Sequence, residues 1–212
     1  MARTPTLPRV KSAYTSEVRR LAGQSMSQLE RASVTPNALT AAGVGLSVAG
    51  AVAVYFEDAG FWWYWIGAAL FVVGSVLDIL DGALARSRGL GTPFGAFIDS
   101  TVDRVGEAFM LGAIALVFMR DGNEWAVALA FAGLAGSFLV SYARARAEAL
   151  GLRGDVGIGS RAERVVVITT GLVLAPAHEL VLPSAIALLT ATAWITVVQR
   201  VLAVRTQLRE RR

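Results

Sequence analysis

Four aspartates and one arginine lie close together in a strongly apolar part of the chain: Asp78, Asp81, Arg86, Asp99 and Asp103. Placing a charged side chain in the hydrocarbon core of a membrane costs about 2.5 kcal/mol or more, so acids at this density need a partner. A divalent cation compensates several carboxylates at once. The chain has no cysteine and a single histidine, His178. A metal must therefore be held by oxygen atoms, which favours Mg²⁺, Mn²⁺ or Ca²⁺.

The spacing of the aspartates predicts one shared site. Asp78 and Asp81 are three residues apart, and Asp99 and Asp103 are four apart, so each pair lies on one face of a helix. A short glycine-rich turn, residues 88–93, joins the two pairs. Two antiparallel helices joined in this way can present four carboxylates to each other at similar depth. Such a site can hold two divalent ions, which stabilise the attacking and leaving oxygens in phosphoryl transfer.

The elements that position these residues are predicted to be membrane helices. Hydrophobic residues make up 55% of the chain and charged residues 17%, whereas soluble domains average about 25% charged. We therefore expect an all-α, polytopic membrane protein with one main domain. Thr35 and Pro36 are typical of a helix start, as N-cap and first helical residue. Six apolar segments approach the length needed to span a bilayer: 36–56, 61–84, 94–119, 124–146, 163–178 and 182–204.

The distribution of basic residues predicts the topology. With the N-terminus in the cytoplasm, all lysines and arginines except Arg120 fall on the cytoplasmic side. This asymmetry favours six helices in the cell membrane with both termini on the cytoplasmic side, and it puts the aspartates near the cytoplasmic face. The basic residues lie at helix ends, which suits anionic lipid head groups better than nucleic acid.

The N-terminal segment is not a signal peptide, because it has no apolar core region. Val10, Tyr14, Val18 and Leu21 recur at near-helical spacing among basic residues, which predicts an amphipathic helix on the membrane surface. A frayed polar tail is the alternative. The chain thus divides into an amphipathic segment, a six-helix domain and a basic cytoplasmic tail: residues 1–35, 36–205 and 206–212.

The aspartates also form a recognisable signature: Asp78-x2-Asp81-Gly82-x2-Ala85-Arg86-x8-Gly95-x3-Asp99-x3-Asp103. This pattern resembles the CDP-alcohol phosphotransferase family at every fixed position. The resemblance implies that a CDP-linked lipid binds through its pyrophosphate to two Mg²⁺ or Mn²⁺ ions, that an alcohol attacks the phosphorus attached to the lipid, and that CMP leaves. It also implies that Asp78, Asp81 and Asp99 are metal ligands. Asp103 would be the general base and a further metal ligand.

Other positions match the family's contacts to the CDP-lipid. Gly82 and Ala85 leave room for a bulky ligand on the aspartate face, and Arg86 can bind a phosphate through two hydrogen bonds. The start of the first helix resembles the nucleotide contact of the family, although plain helix capping is an alternative for this segment. The remaining expected donor contacts are Asn37, Ala38, Leu39, Thr40 and Thr92.

Four later arginines are candidates for a second phosphate site: Arg144, Arg146, Arg164 and Arg200. Ordinary positive-inside charge is the alternative explanation, and Arg144 and Arg146 cannot share one helix face. The sequence around these arginines looks like that of bacterial phosphatidylinositol phosphate synthases. That resemblance implies CDP-diacylglycerol as donor and an inositol phosphate as acceptor.

Several alternatives remain open from the sequence. The acceptor can instead be glycerol 3-phosphate or free inositol, and the donor can be an ether lipid. A divalent-cation transporter would use the aspartates as ion ligands without releasing CMP. Gly112, Gly133 and Gly136 permit close helix packing or a dimer face, and we expect a homodimer.

Overall fold

The computed structural model describes residues 35–87, 89 and 91–211, and every regular element among them is helical. The all-α prediction is therefore confirmed for this part of the chain. The amphipathic helix predicted before Thr35 lies outside the described residues. Six α-helices follow one another along the chain: α1 (Pro36–Tyr55), α2 (Trp62–Ser87), α3 (Pro93–Arg120), α4 (Glu124–Ala149), α5 (Arg161–Leu174) and α6 (Val181–Glu210).

Four of these helices begin at a polar cap. The side chains of Thr35, Thr92 and Asn123 each accept a hydrogen bond from a backbone N–H three residues later, as their helices α1, α3 and α4 begin. Proline follows both threonines at the first helical position, as the sequence predicted for α1. Ser160 and Glu163 form a reciprocal capping box at α5. The caps fix where α3 and α5 start, and both starts adjoin the aspartates.

The bundle has two halves that share a buried apolar core. Helix α1 packs on α2 and α3, whereas α4 packs on α6, and α5 lies between α2 and α6. Gly43 and Gly74 bring α1 and α2 into direct backbone contact. A Cβ at Gly74 would lie 2.5 Å from the Gly43 carbonyl oxygen, so neither position has room for a side chain. This contact holds the start of α1 beside the aspartates of α2.

Four of the described helices are long and apolar enough to cross a membrane: Asn37–Tyr55, Trp62–Ala85, Glu124–Ala149 and Val181–Glu210. The other two helices, α3 and α5, do not meet these requirements of length and apolar composition, for different physical reasons. The first fifteen residues of α3 carry the charges of Asp99, Asp103, Arg104 and Glu107. Helix α5 has 14 residues, which is about 21 Å of helix against a hydrocarbon core of about 30 Å. Six complete spans remain a prediction.

Arg120 is the one basic residue that the sequence predicts outside the cytoplasmic side. It lies at the end of the bundle opposite the aspartates. Its guanidinium donates hydrogen bonds to the Tyr55 carbonyl at 2.9 Å and to Glu57 Oε1 at 2.6 Å. It also lies over the Tyr55 ring, 5.1 Å from the centroid. These contacts join the end of α3 to the turn between α1 and α2, which explains an arginine at this position.

Candidate active site

The two aspartate pairs lie at matching depths in adjacent helices. Asp81 lies six residues before the end of α2, and Asp99 lies six residues after the start of α3. At 1.5 Å per residue each is about 9 Å from the connecting turn. Asp78 and Asp103 lie about one helical turn further in. The expectation that the short turn aligns the pairs is consistent with this register.

Three of the four aspartates form a compact cluster. Carboxylate oxygens of Asp78, Asp99 and Asp103 all lie within 4.8 Å of one another. Asp78 is buried, and the other two are half-buried. Close carboxylates of this kind repel one another unless a cation sits between them, and an all-oxygen donor set suits Mg²⁺ or Mn²⁺.

Asp81 points to a neighbouring position. Its Oδ2 accepts a hydrogen bond from the Thr40 hydroxyl of α1. Its Oδ1 is buried and has no hydrogen-bond partner among the described residues. A buried carboxylate oxygen without a donor is costly. The donor set and this oxygen together fit a site that binds a cation.

A cation from the protein itself already reaches the cluster. Arg161, the first residue of α5, donates from NH1 to Asp78 Oδ2, and its NH2 lies 2.7 Å from Asp103 Oδ1. The guanidinium thus joins α2 and α3 through two carboxylates. We did not assign Arg161 from the sequence, because only the folded chain shows that the start of α5 meets the aspartates. Its place directly after a capping serine was the one local signal.

Arg164 forms a second, fully buried ion pair one turn further along α5. Its Nε lies 2.6 Å from Glu107 Oε1, its NH2 lies 2.9 Å from Glu107 Oε2, and its NH1 donates to the Gly159 carbonyl at 2.9 Å. Glu107 is not among the site residues predicted from the sequence. Its spacing of four residues from Asp103 extends the acidic stripe of α3 and could have indicated it.

Glu107→Leu is expected to lower the free energy of unfolding by about 3–5 kcal/mol, because it leaves the Arg164 charge buried without a partner. Thermal unfolding in detergent measures this effect. The double variant Glu107→Leu/Arg164→Leu removes both charges and is expected to recover most of the loss. A single variant as stable as the unchanged protein would show that the pair does not hold α5 against α3.

A cavity of about 400 Å³ opens beside the aspartates, between the starts of α1 and α3 and the end of α2. Asp81 and Asp99 form part of its wall. Its volume lies in the range of small-molecule sites. Five of the residues expected to bind the CDP-lipid line it: Asn37, Thr40, Gly82, Ala85 and Thr92.

The other expected donor contacts differ in position. Leu39 is 7% exposed and is not among the residues that line the cavity. Ala38 is exposed but does not line the cavity. The side chain of Arg86 lies outside the described part of the structure. The Thr92 hydroxyl also caps α3 by accepting from the Gly95 N–H at 2.9 Å, so capping and cavity lining coincide there.

The arginines expected to bind the acceptor surround the loop of residues 150–160, called here the α4–α5 loop. Arg200 is buried and donates to the Val156 carbonyl at 2.9 Å and to the Val140 carbonyl. Arg164 holds the Gly159 carbonyl. These two arginines therefore support the loop from within the bundle.

Arg144 and Arg146 are exposed at the end of α4 that leads into the same loop. Arg144 pairs with Glu148 across one helical turn, with its Nε 2.8 Å from Oε1. The loop returns to this helix at Gly154, where a Cβ would lie 2.9 Å from the Arg144 carbonyl oxygen. The structure thus brings Arg144, Arg164 and Arg200 to one loop, although they contact different parts of it.

The α4–α5 loop packs tightly on α6 through Gly157 and Gly159. A Cβ at Gly157 would lie 2.4 Å from Thr196 Cγ2, and this glycine has φ +116°. The Gly159 N–H donates to the Thr196 hydroxyl at 2.8 Å. The glycine-rich run therefore serves close packing that sets the start of α5.

Gly157→Ala is expected to reduce stability by about 1–3 kcal/mol through overpacking and backbone strain, and to raise KM for the acceptor because the loop shifts. Thermal unfolding and initial-rate kinetics measure both effects. Gly45→Ala is the matched control, since no atom lies within 4 Å of a Cβ there. Equal behaviour of the two variants would contradict the packing role of Gly157.

Comparison with known proteins extends over most of the chain. The family model of CDP-alcohol phosphatidyltransferases matches residues 33–206. The phosphatidylinositol phosphate synthase of Mycolicibacterium smegmatis is 39% identical over 182 residues, which cover 83% of this chain and 80% of that protein. The range that the family model matches contains all four aspartates and the α4–α5 loop.

Two crystal structures of Mycobacterium tuberculosis phosphatidylinositol phosphate synthase have a similar fold. The structure with CDP-DAG bound gives a TM-score of 0.78 at 33% identity and covers 87% of this chain and 94% of that chain. The structure in complex with manganese and citrate gives a TM-score of 0.77 at 33% identity, with 87% and 89% covered. At this identity, the likeness extends to sequence as well as fold.

Proposed function

This chain belongs to the CDP-alcohol phosphatidyltransferase family, and we propose that it transfers the phosphatidyl group of CDP-diacylglycerol to an inositol phosphate. The products are phosphatidylinositol phosphate and CMP. The observation that carries the proposal is the cluster of Asp78, Asp99 and Asp103, with a cavity for the donor beside it and a loop with arginines around it. Similarity to enzymes that make phosphatidylinositol phosphate supports this choice of acceptor.

The metal site is proposed to take two Mg²⁺ or Mn²⁺ ions, held by Asp78, Asp81, Asp99 and Asp103. The close carboxylates and the unpartnered Oδ1 of Asp81 support this set. When bound, such ions neutralise the pyrophosphate and stabilise the attacking and leaving oxygens. The relative that binds manganese supports a divalent ion.

The donor is proposed to bind in the cavity of about 400 Å³, with its pyrophosphate toward Asp81 and Asp99. Asn37, Thr40 and Thr92 line the cavity and offer polar contacts to the cytidine and phosphates. Gly82 and Ala85 leave the wall of α2 open to the ligand, and Arg86, Ala38 and Leu39 complete the expected set.

Asp103 is proposed to be the general base. Its Oδ2 accepts a hydrogen bond from Arg104 NH1 at 3.5 Å, and its Oδ1 lies 2.7 Å from Arg161 NH2. The Asp103 carboxylate takes the proton of the acceptor hydroxyl as that hydroxyl oxygen attacks the phosphorus attached to the lipid. The bond from this phosphorus to the oxygen of CMP breaks, and CMP leaves with the electron pair.

The acceptor phosphate is proposed to bind at the α4–α5 loop. Arg144 and Arg146 are exposed there and available to a doubly charged phosphate. Arg164 and Arg200 hold carbonyls of the loop, and Arg200 adds positive charge, whereas the charge of Arg164 is balanced by Glu107. An acceptor without a phosphate would gain nothing from this arrangement.

The experiment that tests the acceptor compares inositol phosphate, free inositol and glycerol 3-phosphate under equal conditions, with CDP-diacylglycerol as donor and the lipid product identified by mass spectrometry. We expect product only with inositol phosphate. Arg146→Gln is expected to raise KM for it about tenfold with a small change in kcat, as for a lost charged contact in the ground state. If the protein prefers another acceptor, the proposed phosphatidyl transfer stands and the proposed acceptor, inositol phosphate, is wrong.

The membrane arrangement is proposed to be six spans in the cell membrane, with both termini and the aspartates on the cytoplasmic side. The four apolar helices and the positive-inside distribution support it.

A homodimer is proposed as well. An open apolar groove of about 730 Å³ around Gly112, with Phe109, Leu116 and Phe131 on its walls, offers a face for a second copy. Cysteine cross-linking across this groove in membranes tests it.

A further inference from the structure

The guanidinium of Arg161 contacts the same carboxylates that are proposed to bind metal. NH1 donates to Asp78 Oδ2, and NH2 lies 2.7 Å from Asp103 Oδ1. These two residues belong to the cluster whose oxygens lie within 4.8 Å of one another. A divalent ion and the guanidinium therefore compete for the same two carboxylates, Asp78 and Asp103.

The backbone of Arg161 is firmly placed. The residue begins α5 directly after the Ser160 capping box, and the Gly159 N–H is bonded to Thr196. Arg164 lies on the same helix face and is paired with buried Glu107. These contacts fix the start of α5 next to the aspartates. The contact between Arg161 and the cluster thus follows from the scaffold.

The side chain of Arg161, by contrast, has room to move. It is 31% exposed, whereas the side chain of Arg164 is 4% exposed. An arginine side chain has several rotatable bonds, so the guanidinium can leave the carboxylates without a change in the helix. Arg161 can therefore exchange between the cluster and solvent.

We propose that Arg161 is a built-in competitor of the divalent metal: its guanidinium neutralises Asp78 and Asp103, and metal binding displaces it. This positioning residue holds α2 and α3 at the correct separation before the metal arrives. It also lowers the apparent metal affinity in proportion to the fraction of molecules in which the bridge is closed. The inference rests on the proposed metal site.

The first test measures Mn²⁺ binding to the purified protein by electron paramagnetic resonance, without donor or acceptor. A bridge closed in about nine molecules of ten lowers Mn²⁺ affinity about tenfold, so Arg161→Gln is expected to bind Mn²⁺ about tenfold more tightly. Arg161→Lys keeps the charge but cannot span two carboxylates, and we expect an intermediate affinity. Arg205→Gln removes an exposed charge near the end of α6 and is the control, with unchanged affinity.

Thermal unfolding separates competition from a plain structural role. Arg161→Gln is expected to lower Tm without metal, because the carboxylates lose their partner, and to show a larger rise in Tm on addition of Mn²⁺. A residue that only supports the fold would lower Tm equally with and without Mn²⁺. Equal lowering, or an affinity for Mn²⁺ that is unchanged or weaker in Arg161→Gln, would overturn the proposal.

A second measurement uses the unchanged protein and does not depend on a variant that folds. Phenylglyoxal modifies free guanidinium groups, and mass spectrometry follows the peptide that contains Arg161 relative to the one that contains Arg205. Mn²⁺ is expected to accelerate modification of Arg161 by releasing it from the carboxylates. No acceleration in a protein that binds Mn²⁺ would overturn the proposal. If the protein binds no Mn²⁺, the proposed metal site itself is wrong.

Discussion

Asp103→Asn is expected to reduce turnover by about 10³-fold or more, because a positioned general base contributes about 10²–10⁴-fold and its carboxylate also belongs to the metal cluster. Asparagine has nearly the same shape but cannot accept the proton of the acceptor hydroxyl. Three aspartates remain, so the donor is expected to bind with almost unchanged affinity. CMP release and equilibrium binding of CDP-diacylglycerol measure the two effects separately.

Asp121→Asn is the matched control for this variant. Asp121 is exposed at the opposite end of α3, next to the end of the helix at Arg120. The same change in charge there is expected to leave turnover and donor binding as they are. Turnover by Asp103→Asn within tenfold of the unchanged protein would exclude Asp103 as the base.

Asp78→Asn is expected to weaken Mn²⁺ binding by about 100-fold or more, since even the outer partners of metal ligands are worth about 10–100-fold. Asp78 is 8% exposed and belongs to the cluster. The proposed metals hold the pyrophosphate, so donor affinity is expected to fall together with metal affinity. This joint loss distinguishes Asp78→Asn from Asp103→Asn, in which donor binding survives.

Mn²⁺ titration and competition by CDP test this second variant. Thermal unfolding accompanies them, because Asp78 also accepts from Arg161. If the variant keeps its fold and binds Mn²⁺ as tightly as the unchanged protein, Asp78 is not a metal ligand. Loss of donor binding with intact metal binding would instead assign Asp78 to the nucleotide.

The sequence predicted the carboxylate site because the relevant information is local. Spacings of three and four residues fix a helix face, and a turn of a few residues fixes the antiparallel register of α2 and α3. Both features are present in the fold, where Asp78, Asp99 and Asp103 meet. The apolar segments likewise predicted six helices, and the ends of α1 and α3 agree within one residue with the predicted bounds.

The partners of these residues could not be predicted in the same way, because they come from distant parts of the chain. Arg161 meets Asp78, and Arg164 meets Glu107, only when α5 packs between α2 and α6. The periodicity of one segment carries no information about such a contact. The sequence does not show that Glu107 is buried. Its structural role comes from burial beside Arg164.

The arginines show why residue type alone does not define a phosphate site. Arg144, Arg164 and Arg200 all adjoin the α4–α5 loop, yet Arg164 and Arg200 use several donors on a carboxylate or on backbone carbonyls. Burial, not sequence, separates them from exposed Arg144 and Arg146. The acceptor assignment of these four residues remains a prediction.

We propose that the protein transfers a phosphatidyl group to an inositol phosphate at the carboxylate cluster. The measurement that tests it most directly is CMP release by the purified protein with CDP-diacylglycerol and Mg²⁺, with and without inositol phosphate. We expect release that requires both the metal and inositol phosphate, and none after addition of EDTA. No CMP release with inositol phosphate, in a folded protein that binds metal, would contradict the account.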